Sequence, residues 1–163
     1  NEGSSLGVEI CKTKKKLFIT IDFLLKKYSE IILEEYIAGQ EIQVAVINGH
    51  PLGAIELIPK RLFYDYKAKY TKKAKTEHVM PARLTKKNYS KVLKIATKAH
   101  NALRCRGVTR SDFKFYRNNF YLLEINTQPG MTSLSLVPEI ASYRGINFEN
   151  LVEKILLDAS IIR

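Results

Sequence analysis

Residues 108–126 have the sequence VTRSDFKFYRNNFYLLEIN. Residues 108–115 and 120–125 are rich in β-branched and aromatic side chains, which favour strands, and the polar run between them favours a turn. The register of this hairpin decides whether its two carboxylates share a face. A two-residue Asn-Asn turn would put Asp112 and Glu124 on opposite faces, whereas a three-residue loop with a left-handed asparagine would set them directly across. The sequence predicts an odd-length loop or a bulge.

Strand and helix signals continue on both sides of this hairpin. β-rich runs beside turn residues predict strands, and apolar residues at helical spacing predict helices. In chain order, the predicted elements are a loop between two strands (residues 3–7, with the second strand at 8–11), a helix (18–28) capped by Thr20 or Asp22, a buried strand (31–33), a hairpin (43–47 and 52–57) turning at Asn48-Gly49, a helix (84–103) and a helix (147–162) capped by Asn147. Residues 59–81 are polar, rich in Tyr and Lys and without periodicity, which indicates a mobile loop with a function.

Length and composition are typical of a globular protein in water. The 163 residues suffice for one domain or one and a half, and the longest apolar runs are too short to cross a bilayer. The two cysteines lack metal-ligand spacing and no secretory leader is visible, so we expect buried or free thiols, a cytoplasmic location and no membrane partner. His50, His78 and His100 show no metal-site spacing, no hydrolase triad is visible, and His100 is expected to be structural.

A net charge of +11 raises the question of a nucleic-acid partner. The lysines and arginines are spread along the chain rather than gathered in one stripe, and no helix-turn-helix or aromatic strand signature accompanies them. We therefore predict no nucleic-acid partner. The alternative from another functional class is a basic module that binds DNA or RNA in a salt-dependent way and has no Mg²⁺-dependent affinity for ATP.

Oxygen-bearing side chains of the hairpin can share one face. Glu124 and Asn126 are two residues apart on one strand, and Asp112 reaches the same side in the predicted register. Mg²⁺ takes one or two carboxylates and shares its other positions with water and nucleotide phosphates, so this face would suit it. A solvated carboxylate pair is the alternative. Arg110 lies on the same face, where it would stabilise phosphate or an oxyanion, or form an ion pair with Asp112 or Glu124.

Five ordered motifs carry a resemblance to a known family. They are EGSSLGV (residues 2–8), EEYIAGQE (34–41), FYDYKAKY (63–70), RGVTRSD (106–112) and LEINTQPGMT (123–132). Together they resemble the D-alanine-D-alanine ligases of the ATP-grasp superfamily, over most of the chain. The resemblance implies an α+β fold in which antiparallel sheets with packed helices enclose the nucleotide site. Residues 1–36 would form the remainder of the central subdomain, and residues 37–163 the C-terminal subdomain with a mobile lid at about 59–81.

The resemblance also implies a reaction. ATP phosphorylates one D-alanine carboxylate, and the amine of the second D-alanine attacks the acyl phosphate, giving D-alanyl-D-alanine for peptidoglycan precursors. The implied cofactors are ATP and two Mg²⁺ (or Mn²⁺) ions that bridge its phosphates. The matching metal ligands are Asp112, Glu124 and Asn126. The matching nucleotide-binding positions are Ser5, Glu34, Glu35, Tyr36, Ile37, Glu41, Tyr64 and Lys69, of which Glu41 matches the ribose-binding carboxylate.

Further positions match groups that act on D-alanine in this family. They are Arg110 and the Gly130 backbone for the tetrahedral intermediate, Ser135 and Leu136 for the carboxylate of the second D-alanine, Ser4 and Tyr70 for ordering the substrates, and Lys69 for the terminal phosphate. The Tyr-rich lid would exclude water from the acyl phosphate, which hydrolyses readily. Tyr70 favours an amine over lactate as the second substrate.

Two departures from the family pattern limit what this chain is expected to do. The N-terminal domain of the family and a phosphate-binding lysine before Glu2 are both missing, so we expect a C-terminal part that does not ligate by itself. The resemblance implies a homodimer for the full-length enzyme. A nearer alternative is an ATP-grasp ligase for another carboxylate and amine, against which stand Tyr70, Ser135 and Leu136.

Overall fold

The computed structural model describes residues 6–59 and 76–159, and the chain divides into two compact units. The first comprises Asn1–Ile37 and Pro59–Thr76, and the second comprises Ala38–Ile58 and Glu77–Arg163. The described elements, in chain order, are α1 (Lys14–Leu25), β1 (Gln40–Ile47), β2 (His50–Ile58), β3 (Glu77–Val79), α2 (Lys86–Ala102), β4 (Val108–Tyr116), β5 (Asn119–Asn126), α3 (Leu136–Tyr143) and α4 (Phe148–Asp158). None of the described helices is both long enough and apolar enough to cross a membrane.

The first unit contains helix α1, which begins earlier than predicted. Thr13 is its N-cap, and the Thr13 hydroxyl accepts a hydrogen bond from the Lys16 amide at 3.2 Å. The predicted caps Thr20 and Asp22 are therefore wrong, because both lie inside the helix. Lysine is a good helix former, so the helix extends back through the lysine run to the nearest residue that can cap it.

Two predicted strands are absent from the described part of the first unit. Residues 8–11 have no regular secondary structure, and residues 31–33 lie in a stretch without helix or strand. Ile32 is 87% exposed and Leu33 is 66% exposed, so the prediction of a buried strand is wrong. A short apolar run forms a strand only where a partner strand pairs with its backbone, and no described strand pairs with this one.

The second unit is built on a five-stranded antiparallel sheet with the strand order β3-β2-β1-β4-β5. β1 and β2 form the predicted hairpin at Asn48 and Gly49, whose φ angles of 49° and 76° fit a type I′ turn. β3 pairs with the end of β2, so the last residues of the predicted loop over 59–81 belong to the sheet. Residues 60–75 of that loop lie outside the described residues.

Helix α2 packs against the sheet and contributes to the hydrophobic core. The buried residues of this core are Ile42, Val44, Val46, Ala54, Ala82, Val92, Ala96 and Phe113. Thr85 caps the helix by accepting a hydrogen bond from the Asn88 amide at 3.2 Å, one residue inside the predicted range. His100 is buried, and its Nδ1 lies 2.8 Å from the Thr109 hydroxyl on β4, in agreement with the predicted structural role.

Two helices follow the sheet in the chain. Asn147 caps α4 as predicted, because its side-chain oxygen accepts from the Asn150 amide at 2.8 Å. Helix α3 packs against β1 and β2 but is missing from the predicted elements. Its signal in the sequence was Ser135, a common N-cap residue type, followed by Pro138, which helices tolerate in their first turn.

Glu56 on β2 is a buried carboxylate with several hydrogen-bond donors. Its oxygens accept from Gln40 Nε2 at 2.9 Å, from the Arg83 amide at 3.2 Å and from the Arg83 guanidinium at 3.0 and 3.2 Å. Burial raises the pKa of Glu56, but these hydrogen bonds and the Arg83 charge outweigh it and hold the pKa below its usual value. Such a carboxylate stabilises the fold above its unfolded-state pKa, and this stability is lost as the pH falls through the folded-state pKa.

Glu56→Gln is expected to reduce the pH dependence of stability in acid. At neutral pH the free energy of unfolding falls by about 1–3 kcal/mol, because charge-assisted hydrogen bonds become neutral ones. The difference shrinks as the pH falls through the folded-state pKa of Glu56, since the native carboxyl becomes protonated there. Urea unfolding at neutral and acidic pH measures both values. Glu153→Gln, at an exposed position of α4, is the control and is expected to change neither; unchanged pH dependence in Glu56→Gln would contradict the assignment.

Candidate active site

The turn of the β4–β5 hairpin has two residues. Tyr116 pairs with Asn119, and between them lie Arg117 with a φ of 47° and Asn118 with a φ of 64°. Two left-handed residues give the type I′ turn that matches the twist of the flanking strands. With this turn and uninterrupted pairing, Glu124 would lie on the opposite face of the sheet from Asp112.

A β-bulge changes the register and places the predicted metal ligands on one face. The pairing shifts between Asp112 and Phe113, so Asp112 lies directly opposite Glu124, and Arg110 directly opposite Asn126. The predicted bulge is therefore confirmed. Bulges are frequent beside active sites because the extra residue re-aims the side chains that follow it.

Arg110 and Asp112 form a bidentate ion pair. Arg110 Nε donates to Asp112 Oδ1 at 2.7 Å, and Nη2 donates to Oδ2 at 2.9 Å. The same Nη2 lies 3.8 Å from Glu124 Oε1. The side chains of Arg110 and Asp112 are 17% and 16% exposed, whereas that of Glu124 is 64% exposed. The ion pair predicted as one alternative for Arg110 is present, and it fixes the guanidinium beside both carboxylates.

The oxygen atoms on this face suit a hard divalent cation. Asp112 and Glu124 offer carboxylates and Asn126 offers an amide oxygen, which are ligand types that Mg²⁺ prefers. The Asn126 side-chain oxygen also accepts from the Gln128 amide at 2.9 Å, which fixes the rotation of that side chain. Within residues 6–59 and 76–159, no group of three or more His, Cys, Asp and Glu side chains could hold a metal ion. Two carboxylates and one amide oxygen leave coordination positions of Mg²⁺ open, so the set fits a cation that also binds water and phosphate oxygens.

Two polar residues on the same face were missed by the sequence predictions. Lys114 lies opposite Glu41 in the pairing of β1 with β4, and Lys114 Nζ lies 2.7 Å from Glu41 Oε1. Gln43 lies opposite Asp112 and is buried, and its side-chain oxygen has no hydrogen-bond partner in the described part of the chain. Period-two spacing was the available signal, since Gln43 follows Glu41 by two residues and Lys114 follows Asp112 by two.

The loop after β5 brings Gly130 against Ser135 at the start of α3. A Cβ atom at position 130 would lie 2.9 Å from Ser135 Oγ, so this approach suits glycine. Ser135 Oγ accepts from the Thr132 amide at 3.0 Å and makes no capping bond to its own helix. The amide groups that begin at Leu136 are therefore not capped by Ser135, and the partial positive charge of a helix N-terminus favours a carboxylate there.

The remaining predicted positions are distributed over both units. Ser4, Ser5, Tyr64, Lys69 and Tyr70 lie outside the described residues. Glu34, Glu35, Tyr36 and Ile37 lie in the first unit, in a stretch without helix or strand. The second unit brings Glu41, Arg110, Asp112, Glu124 and Asn126 together on paired strands, and Gly130, Ser135 and Leu136 together at the start of α3.

Comparison with known proteins identifies the family of this chain. The family model described as "D-ala D-ala ligase C-terminus" matches residues 1–157. The chain belongs to this family. The D-alanine-D-alanine ligase of Pelagibacter ubique (strain HTCC1062) is 58% identical over 163 residues, which are 100% of this chain and 53% of that protein. The D-alanine-D-alanine ligase of Geotalea uraniireducens (strain Rf4) is 46% identical over 161 residues, 98% of this chain and 52% of that protein.

Solved structures of ligases from the same family share the fold. D-alanine-D-alanine ligase from Bacillus anthracis complexed with ATP matches with a TM-score of 0.80 and 32% identity, covering 94% of this chain and 50% of that one. Another crystal structure of the Bacillus anthracis ligase gives a TM-score of 0.81 at 33% identity, covering 96% of this chain and 51% of that one. The chain is therefore an α+β, ATP-grasp C-terminal part, and it spans about half the length of the relatives it matches.

Proposed function

We propose that this chain is the ATP-binding part of a cytoplasmic ligase that joins two D-alanines to D-alanyl-D-alanine, for peptidoglycan precursors. The observation that carries the proposal is the clustering of Asp112, Glu124 and Asn126 beside Arg110 on two paired strands. The names of the relatives support the substrate, and the ATP complex of the Bacillus anthracis ligase supports the nucleotide. By itself the chain is expected to lack ligase activity, because it spans about half of those relatives.

In the proposed reaction, the chain binds the nucleotide and neutralises charge on its phosphates. Two Mg²⁺ ions held by Asp112, Glu124 and Asn126 would supply Lewis-acid stabilisation of the transferring phosphoryl group. An oxygen of the first D-alanine carboxylate attacks the γ-phosphorus, the bond to the β-phosphate oxygen breaks, and ADP leaves. Glu41 accepts hydrogen bonds from the ribose hydroxyls. The motif matches support further nucleotide-binding residues, which are Ser5, Tyr64, Lys69 and residues 34–37.

The second step forms the peptide bond. The amine of the second D-alanine attacks the carbonyl carbon of the acyl phosphate, a tetrahedral intermediate forms, and inorganic phosphate leaves as the amine loses its proton. Arg110 and the backbone amide of Gly130 stabilise the negative oxygen, where fixed donors have their largest effect. Ser135 and the uncapped amides at Leu136 hold the carboxylate of the second D-alanine, an interaction that the α3 N-terminus favours.

Four further parts of the proposal concern substrate ordering, the lid, the subdomains and the oligomeric state. Ser4 and Tyr70 order the substrates, and the part of residues 59–81 that precedes β3 forms a lid that excludes water from the acyl phosphate. Residues 1–36 belong to the central subdomain and residues 37–163 to the C-terminal subdomain. The full-length enzyme is a homodimer. The motif matches support each of these statements.

The decisive experiment measures phosphate release from ATP by the full-length enzyme. Full-length here means this chain with its natural N-terminal part, or fused to the corresponding half of the Pelagibacter ubique ligase, of which the chain covers 53%. With Mg²⁺, phosphate release is expected to depend on D-alanine and to stay at background with L-alanine. D-alanyl-D-alanine is expected in equal amount to the phosphate.

Other outcomes of this experiment would point to different functions. ATP binding without D-alanine-dependent turnover would support the nucleotide site but indicate that the substrates are another carboxylate and another amine. Tight salt-dependent binding to DNA or RNA, together with no Mg²⁺-dependent affinity for ATP, would support the basic binding module instead.

A further inference from the structure

Lys114 forms a second ion pair beside the carboxylate cluster. On β4 every second residue from Arg110 to Lys114 is charged, so Arg110, Asp112 and Lys114 lie on one face of the strand. The two cations have different acceptors, since Arg110 donates to Asp112 whereas Lys114 donates to Glu41 on β1 at 2.7 Å. The side chains of Lys114 and Glu41 are 16% and 17% exposed, so most of both is removed from water.

Such a pair is not explained by the stability of the fold. Removing two opposite charges from water costs about as much as their attraction returns, and apolar residues of similar volume often replace such pairs without loss of stability. Lys114 lies next to Phe113, whose side chain is in the core, so the lysine occupies the strand face that also carries Asp112. The position of this mostly buried charge pair on the face that carries Asp112 points to a role in binding.

The hydrogen-bond geometry leaves Glu41 able to bind a diol. Lys114 donates to Glu41 Oε1 at 2.7 Å, and no hydrogen bond to Glu41 Oε2 is found among the described residues. A carboxylate held at one oxygen keeps its plane and its rotamer, while its second oxygen still accepts hydrogen bonds from outside the protein. The two hydroxyls of a ribose are donors of this kind.

We propose that Lys114 is a positioning residue that orients the Glu41 carboxylate toward both ribose hydroxyls, and so sets the preference for ribonucleotides over 2′-deoxyribonucleotides. The inference rests on the proposed function, because it takes Glu41 as the ribose-binding carboxylate. It adds a specificity-determining residue to that site. In this proposal Lys114 contacts Glu41, and the residues around Asp112 bind the phosphates.

Binding of ATP and 2′-deoxy-ATP to the full-length enzyme tests the proposal. With Mg²⁺ and without D-alanine, calorimetry gives Kd for both nucleotides in the wild type, Lys114→Met, Glu41→Gln and the double variant. Lys114→Met is expected to raise Kd for ATP about tenfold, since one charge-assisted hydrogen bond is lost. Kd for 2′-deoxy-ATP is expected to rise about twofold, because one of the two hydroxyls is already missing.

The double variant separates positioning from a direct contact. If Lys114 acts through Glu41, Lys114→Met has little further effect on ATP binding in the Glu41→Gln background. Lys114→Arg keeps the charge and is expected to retain most of the preference for ATP. Lys91→Met, which removes an exposed lysine from α2, is the matched control and is expected to bind both nucleotides like the wild type.

Three results would overturn the proposal. The first is an equal loss of affinity for both nucleotides, and the second is an undiminished effect of Lys114→Met in the Glu41→Gln background. The third is a loss of folding in both Lys114→Met and Lys114→Gln, which would make the pair structural. Failure of the proposed function is distinguishable, because it appears in the wild type as phosphate release that does not depend on D-alanine.

Discussion

Glu124→Gln in the full-length enzyme is expected to lower D-alanine-dependent phosphate release about 10²–10³-fold, because a proposed metal ligand loses its charge with almost no change in volume. The melting temperature is expected to change by less than about 2 °C. The Glu124 side chain is 64% exposed, so water screens its charge and the charge contributes little to folding. Steady-state turnover and thermal unfolding of the same preparation measure the two effects.

The Mg²⁺ dependence shows whether this loss arises at the metal. A weakened ligand set is expected to need more Mg²⁺ for half-maximal rate, and excess Mg²⁺ is expected to restore part of the lost turnover. Glu153→Gln removes the same charge from an exposed position on α4 and is expected to leave rate and Mg²⁺ dependence unchanged. Near-wild-type turnover in Glu124→Gln would show that Glu124 is not a metal ligand.

The part of the site that lies on the β4–β5 hairpin was predictable from the sequence. Hairpin residues have a period of two, so the requirement that Asp112 and Glu124 share a face already implied an irregular register. The sequence did not say whether a longer loop or a bulge would supply it. The turn has two residues, Arg117 and Asn118, and the register shift lies further along the strands. Turn chemistry is local, whereas the place of a bulge depends on what packs on both faces.

The errors have a common physical origin. The apolar residues at 31–33 suggested a buried strand, but burial requires a partner strand that the run itself does not encode. The pairing of Lys114 with Glu41 joins residues far apart in the chain, and only the register of β1 against β4 brings them together. Local patterns therefore predicted the hairpins and the helix α2, whereas long-range pairings had to be read from the structure.

Arg110→Ala in the full-length enzyme is expected to lower kcat about 10²–10³-fold, since it removes the fixed donor that we propose stabilises the charge of the tetrahedral intermediate. Arg110 donates to Asp112 through two nitrogens at 2.7 and 2.9 Å, so its position is set before substrates bind. Steady-state kinetics with varied D-alanine measures kcat and KM separately. Arg144→Ala, at the exposed C-cap of α3, is the control and is expected to behave like the wild type.

The Arg110→Ala defect has two possible sources, which further measurements separate. One is the loss of donors for the intermediate, and the other is the unbalanced charge left on Asp112. Arg110→Lys keeps the positive charge but lacks the planar fork, so it restores kcat only if charge balance is the main contribution. Guanidinium ion added at low concentration supplies the same planar group without a covalent link to the protein. It is expected to restore part of the Arg110→Ala activity. Rescue by guanidinium but little activity in Arg110→Lys would assign Arg110 to the intermediate, whereas full activity in Arg110→Lys would assign it to holding Asp112.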